Sequence, residues 1–156
     1  IFCFKKMLKI YKRISHGEPN FFMELTLEKR VKSRFKACLN DGTEVGIFLD
    51  RGPIMRGGDL LESENGFIVQ VIAASEKVSI VRSDDSHLLM RAAYHLGNRH
   101  VPLEVLPNEL RYQCDHVLDQ MLIGLGINPT SSKLPFEPES GAYGEHGIDH
   151  SHSHSH

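Results

Sequence analysis

Cysteine is scarce in this chain of 156 residues: Cys3, Cys38 and Cys114 are the only three, and no two are spaced as CxxC. An odd, scattered set of thiols indicates neither a disulfide framework nor a zinc ribbon. Long apolar runs are missing too, and none approaches the roughly 20 residues that a membrane-spanning helix needs. The stretch 1–4 is too short for a signal-peptide core, and Lys5 and Lys6 follow it instead of preceding it. The reading is a cytoplasmic protein with no membrane partner. The chain begins without Met, whereas Met7 opens a sensible MLKIYKR strand, which makes residues 1–6 upstream read-through or a trimmed extension. Enzymatic signatures are also absent: there is no GxSxG, HExxH, GxGxxG or phosphate-cradling GxxxxGKS/T. A Cys114 nucleophile with a His116 base is a poor substitute, because side chains two apart in sequence rarely align for catalysis, so the chain is read as a non-enzyme.

With 40% hydrophobic and 24% charged residues and a net charge of -2, the composition is that of a soluble globular protein. A mass of 17.6 kDa allows one ordinary domain or two small lobes. Charge is uneven: residues 1–36 carry ten Lys or Arg against three Glu. Histidine is more uneven still, since five of the ten (His146, His150, His152, His154 and His156) fall in the last eleven residues. No packed core calls for that density.

Residues 7–74 read as a small all-β domain. Phe35, Ala37 and Leu39 alternate with Arg34, Lys36 and Cys38, Asn40-Asp41-Gly42 supplies a turn, and Val45, Ile47 and Leu49 resume the alternation, which predicts a hairpin. Asn65-Gly66 leads into a β-branched strand over 68–72. After residue 74 the period changes. A short strand over 78–81 precedes a helix capped around Ser83, Asp84 and Asp85, with Leu88, Leu89, Ala92, Ala93 and Leu96 as its stripe and Gly97 as its stop. A second helix, capped by Asp115, repeats the pattern 29 residues on with Val117, Leu118, Met121, Leu122, Leu125 and Gly126. Strands over 103–106, 110–113 and near 133–136 complete a strand-helix-strand-strand-helix-strand order, the split βαβ of a ferredoxin-like domain over 75–137. The whole is α+β. Residues 138–156, opening with Glu139-Ser140-Gly141-Ala142-Tyr143-Gly144, read as a flexible His-rich tail.

Chemistry concentrates in that tail. His150-Ser151-His152-Ser153-His154-Ser155-His156, with His146 upstream, places imidazoles at alternate positions, and neutral imidazole binds nickel, copper, zinc or iron. An appended purification tag is usually an uninterrupted histidine run, and the serine spacing argues against one. Binding of this kind weakens as pH falls below the imidazole pKa of roughly 6.5. His100, just past the first helix, is one loop histidine and not a metal site by itself; a two-fold axis nearby would supply a second copy and make it half of one. Cys114-Asp115-His116 opens the second helix, where a helix N-terminus favours a metal-binding thiolate. Equally, Asp115 is an N-cap and Cys114 a small buried residue. Asp115 and Asp119, four apart, are paired carboxylates or, more simply, a solvated face. His16, His87 and His95 read as structural or solvated. The run Lys29-Arg30-Val31-Lys32-Ser33-Arg34-Phe35-Lys36 reads as the wet face of a strand, serving solubility and edge protection. With Phe35 as its one interleaved aromatic, it fits an acidic protein partner better than nucleic acid.

The stretch Arg91-Ala92-Ala93-Tyr94-His95-Leu96-Gly97-Asn98-Arg99-His100-Val101-Pro102-Leu103 is similar to the signature around the principal metal-binding histidine of the UreE urease accessory proteins, a family of nickel metallochaperones. Leu110-Arg111-Tyr112, Asp115-His116-Val117-Leu118-Asp119, Gly141-Ala142-Tyr143-Gly144 and, in the first domain, 41–49 followed by Arg51-Gly52 also resemble it, so the likeness runs over nearly the whole chain. The resemblance implies an N-terminal β domain that engages protein partners and a ferredoxin-like metal-binding domain that pairs into a homodimer. It implies that His100 meets its symmetry mate at the dimer interface, and that tail histidines bind Ni²⁺ and hand it through the GTPase UreG to the urease apoprotein complex for nickel insertion. Some members carry a second histidine pair near the start of the second helix. His116 matches one of the pair, but Cys114 stands in place of the other, and a thiolate leans toward Zn²⁺ or Cu²⁺. A metal-storage or buffering protein working through its tail is the alternative.

Overall fold

A computed structural model describes residues 7–141. Cys3 and the five tail histidines, with the expectations placed on them, lie outside the described residues. The fold is sheet-rich α+β in two domains.

Six strands build the first: β1 (Leu8–Ile14), β2 (Phe21–Leu25), β3 (Arg34–Cys38), β4 (Glu44–Phe48), β5 (Leu60–Ser63) and β6 (Ile68–Ala73). They form a mixed sheet in the order β2-β6-β5-β1-β4-β3, with β1 parallel to β4 and β2 parallel to β6. The predicted hairpin is β3–β4, with Phe35 opposite Ile47 and Ala37 opposite Val45. Its turn works because Gly42 takes φ +85° and the Asp41 carboxylate accepts the Thr43 N–H at 2.9 Å. Period-2 alternation then points Val45 and Ile47 inward with Ile10, Met23, Leu61, Val69 and Val71, all nearly or fully buried. Each such aliphatic side chain contributes about 1.5–3 kcal/mol on leaving water.

The domain is not purely β. Between β2 and β3 the chain makes one helical turn, α1 (Leu27–Arg30), where the charge run is read from sequence as the wet face of a strand. Residues three apart on a helix share a face, so burying Leu27 carries Arg30 inward with it. Arg30 is 1% exposed. Its guanidinium donates to the carbonyls of Leu25, Met55 and Phe136 and to Glu137 Oε1, and lies 4.0 Å from Glu76 Oε2. A buried charge is tolerated only when satisfied in this way. Arg34 and Lys36 do lie exposed on β3.

The second domain runs β7 (Ser75–Arg82), α2 (Ser86–Asn98), β8 (Leu103–Leu106), β9 (Glu109–Gln113), α3 (His116–Leu125), β10 (Thr130–Pro135). Its sheet order is β10-β7-β9-β8 and every neighbouring pair is antiparallel. Ala92 and Leu96 of α2 and Leu118 and Leu122 of α3 are buried with Val81, Leu110 and Tyr112. Leu88, Leu89 and Ala93 of α2 and Met121 and Leu125 of α3 pack partly buried against the same cluster, so both predicted stripes face the core except at Val117, which is 62% exposed. Asp85 alone caps α2, accepting the N–H groups of His87 and Leu88, while Ser83 Oγ accepts the N–H of Asp85. Gly126 ends α3 in the left-handed region at φ +100° as predicted. Gly97 does not end α2, which runs on to Asn98.

The domains meet through a third buried cluster that mixes Leu27 of the first with Val78, Ile80 and Phe136 of the second. Beyond β10 the chain is held from both sides. Arg56 Nη1 donates to the Pro138 carbonyl at 2.6 Å, the Gly57 N–H to Glu137 Oε2, the Glu137 N–H to Glu104 Oε2, and the Glu139 N–H to the Leu103 carbonyl at 2.8 Å. Residues 138–140 are thus a strap across the domain junction, not the start of a free tail, because their backbone groups find partners there.

Candidate metal centre

His100 owes its position to the way α2 stops. The Arg99 N–H donates to the Leu96 carbonyl and the His100 N–H to the Gly97 carbonyl, a tightened last turn. Pro102 then biases Val101 toward extended backbone, so reversal falls on His100 itself, which takes φ +57°. A left-handed conformation costs an L-residue about 1–2 kcal/mol relative to the right-handed one, and glycine or asparagine usually fills it. The imidazole is exposed.

It lines a cleft of about 540 Å³ at the domain junction. Leu27, Val31 and Ile54 of the first domain form one wall, Val101 and Leu103 another, and the strap from Pro138 to Gly141 a third. The last described residue therefore borders the same cleft as His100. Nothing in the sequence marks Val31 and Ile54 as neighbours of His100, and Arg56, which ties the strap down, gave no signal there either.

The second constellation is built differently. Asp115 Oδ1 accepts the N–H groups of Val117 at 2.8 Å and Leu118 at 3.1 Å, so its carboxylate is an N-cap. Cys114 is a free, exposed thiol, not a buried one, and His116 is exposed as the first residue of α3. Asp119 departs from both readings: it accepts from Ser79 Oγ at 2.8 Å and from the Tyr112 hydroxyl at 2.5 Å, so it is neither a solvated carboxylate nor a partner of Asp115. Burial first, and then the hydrogen bond and charge of Asp119, push the Tyr112 hydroxyl well above the ordinary phenol value, which keeps it a donor. His95 packs edge-on against Tyr94, His16 shares a hydrogen bond with Ser15, and His87 is exposed.

Among the described residues, no three His, Cys, Asp or Glu side chains converge into a set that would hold an ion. Neither His100 nor the Cys114–His116 pair is a complete site among the described residues. A single exposed imidazole offers one bond to a metal; a second copy of the chain, or histidines from beyond Gly141, would have to supply the others.

Residues 12–74 match the model of the N-terminal domain of the UreE urease accessory proteins, and residues 76–156 that of their C-terminal domain. Proteins named "Urease accessory protein UreE" are similar along most of their length. That of Enterobacter sp. (strain 638) is 53% identical over 139 residues, 88% of this chain and 91% of the relative. That of Escherichia coli O157:H7 is 47% identical over 154 residues, 96% and 100%, and that of Pseudomonas putida (strain W619) is 55% identical over 139 residues, 88% and 86%. This two-domain α+β chain is thus placed by its sequence, over both domains. The chain belongs to the UreE urease accessory protein family.

Proposed function

We propose that this chain is a nickel metallochaperone of urease maturation, a cytoplasmic, non-enzymatic homodimer. The observation that carries the reading is His100, held in a strained left-handed conformation and exposed at a cleft that the root of the histidine tail also borders. Strain of this kind persists where surrounding structure over-determines it, and it concentrates at functional positions. Two such histidines brought together across a dimer axis would grip one Ni²⁺ as cargo. His146 follows Gly141 by five residues, a reach of at most about 18 Å, so tail histidines can join or relay to that site. Ligand exchange from loop and tail to an acceptor needs ligands that open readily, which exposed imidazoles are.

The second domain is read as ferredoxin-like, on the support of its βαββαβ order and fully antiparallel sheet. Domain limits of 7–74 and 75–137 follow from the change of sheet at residue 75. UreG and the urease apoprotein complex are the proposed recipients, and the relatives' name supports a place in urease maturation. Cys114 and His116 form at most an auxiliary site that favours Zn²⁺ or Cu²⁺ through the thiolate. The membrane plays no part in this reading, and no described helix is long and apolar enough to cross one.

Nickel titration calorimetry tests the proposal on the intact protein, a version ending at Tyr143, and that version carrying His100→Ala. The expected result is about one tight Ni²⁺ per dimer after truncation, abolished by His100→Ala. If the truncated protein binds no nickel, the tail is the site and a storage or buffering role, which its histidine density favours, replaces the chaperone.

A further inference from the structure

The first domain carries a cleft of about 830 Å³ whose walls hold four cations, Arg13, Lys32, Arg34 and Arg51, against the single acid Asp50. Two of the four are committed. Arg13 Nη2 donates to the Pro53 carbonyl at 2.7 Å, which braces the 50–53 loop against β1, and Lys32 lies 3.8 Å from Glu28. The Leu49 N–H donates to the Ser33 carbonyl and fixes the opposite rim to β3. The side chains of Arg34 and Arg51 form neither an ion pair nor a hydrogen bond among the described residues. Two free guanidiniums on a braced frame are suited to bidentate capture of carboxylates.

Exposed apolar surface sits at both ends. A smaller hollow shares Arg13 and Arg51 and adds Tyr11, which is 53% exposed, beside Lys12, itself 3.9 Å from Glu62, while Val31, 55% exposed, closes the other end. Val31 also lines the His100 cleft, so the basic cleft and the junction cleft share a wall residue and lie side by side.

We propose that this cleft is the docking site for an acidic, apolar-flanked segment of the protein that receives the ion, seated so that the acceptor abuts His100. The inference rests on the metallochaperone reading and adds the surface and the chemistry of the partner. Nucleic acid fits less well, because Tyr11 is the only aromatic ring on these walls and base stacking needs several along the track.

The test is fluorescence anisotropy with a short fluorescein-labelled glutamate–leucine peptide and, separately, an oligothymidylate, on the full chain. Binding of the peptide should weaken with added salt, and the double charge reversal R34E/R51E should lower its affinity by about tenfold or more. The same reversal on the other domain, K133E, should leave the affinity unchanged. R34K/R51K, which keeps charge and loses the planar fork, should fall between and guards against a folding defect in the reversal. Nickel titration of R34E/R51E should match the unaltered protein; peptide binding without any nickel binding would leave the docking site standing and remove the metallochaperone reading. Equal peptide affinity in R34E/R51E, no peptide binding by the unaltered chain, or tighter binding of oligothymidylate than of peptide would overturn the proposal.

Discussion

At its start α3 presents Asp115 to two backbone N–H groups that would otherwise lack partners, whereas the turn that follows α2 places a histidine in the left-handed region that satisfies nothing a glycine would not. Both termini carry candidate ligands. At the first, folding alone explains the central residue: an aspartate caps a helix and its neighbours lie in water. At the second, folding would be better served by another residue, since glycine in that conformation avoids the penalty borne by histidine. A residue that stability disfavours and geometry displays is a sharper pointer to function than one that stability already requires. By this comparison His100 is a stronger candidate ligand than Cys114 or His116.

The comparison breaks most visibly at the metal. In the protein ending at Tyr143, His100→Ala should abolish tight nickel binding, while C114S/H116A should change nickel affinity by less than about threefold and lower Zn²⁺ or Cu²⁺ uptake instead. Calorimetry with each ion in turn reads both outcomes. Nickel binding that follows Cys114 and His116 would invert the ranking.

Next in size is the arginine that holds the junction beside His100. Arg30→Met keeps much of the side-chain volume but removes the donor to Glu137 and to the carbonyls of Leu25, Met55 and Phe136, and removing one partner of a buried pair costs about 3–5 kcal/mol when both are buried. Glu137 is about a third exposed, so a loss nearer 2–3 kcal/mol is expected in urea unfolding. The loss should be accompanied by faster amide exchange at Glu137 and Glu139, next to His100, with exchange at the α3 cap unchanged.

Smaller effects should run in opposite directions at the two termini. Asp115→Ala should destabilise by about 1 kcal/mol, the usual value of an N-cap, with nickel binding intact. His100→Gly should raise stability by up to about 1 kcal/mol and lose the metal, a trade of stability for function at one residue. Thermal melts paired with nickel titration distinguish the two cases.

Much of this architecture is legible in the sequence because it depends on short-range periods. The β3–β4 hairpin follows from alternation and a glycine turn, and the αL stop at Gly126 from one glycine after an apolar stripe. What the sequence conceals depends on which face turns inward. Arg30 sits in a run of like residues, and only the burial of Leu27 one turn earlier separates it from its exposed neighbours Lys32 and Arg34. Gly97 resembles a helix stop, yet the helix continues to Asn98, Arg99 caps it, and the left-handed position falls on His100. The candidate site was half legible for the same reason: His100 lies in a motif, but its cleft is assembled from Val31, Ile54 and the 138–141 strap, which no local pattern links.

The smallest effect concerns the two inner strands of the second sheet, where Glu109 of β9 bridges Arg82 of β7 and Arg111 of β9. Burial raises its pKa, but the hydrogen bonds and charges of the two arginines outweigh burial and hold the carboxyl below its ordinary value of 4.5. A folded-state pKa below the unfolded one means that the unfolded chain binds the proton more readily, so acid favours unfolding through this group. Its stabilisation is fully present above about pH 4.5 and is lost as pH falls through the lowered value. Because Arg82 is largely solvent-exposed, the contribution should be below about 1 kcal/mol. Glu109→Gln should therefore melt slightly below the unaltered protein at neutral pH, and the two curves should converge as pH drops below about 4.5. A gap that widened in acid would mean that the carboxyl is held protonated, and that the arginines do not govern it.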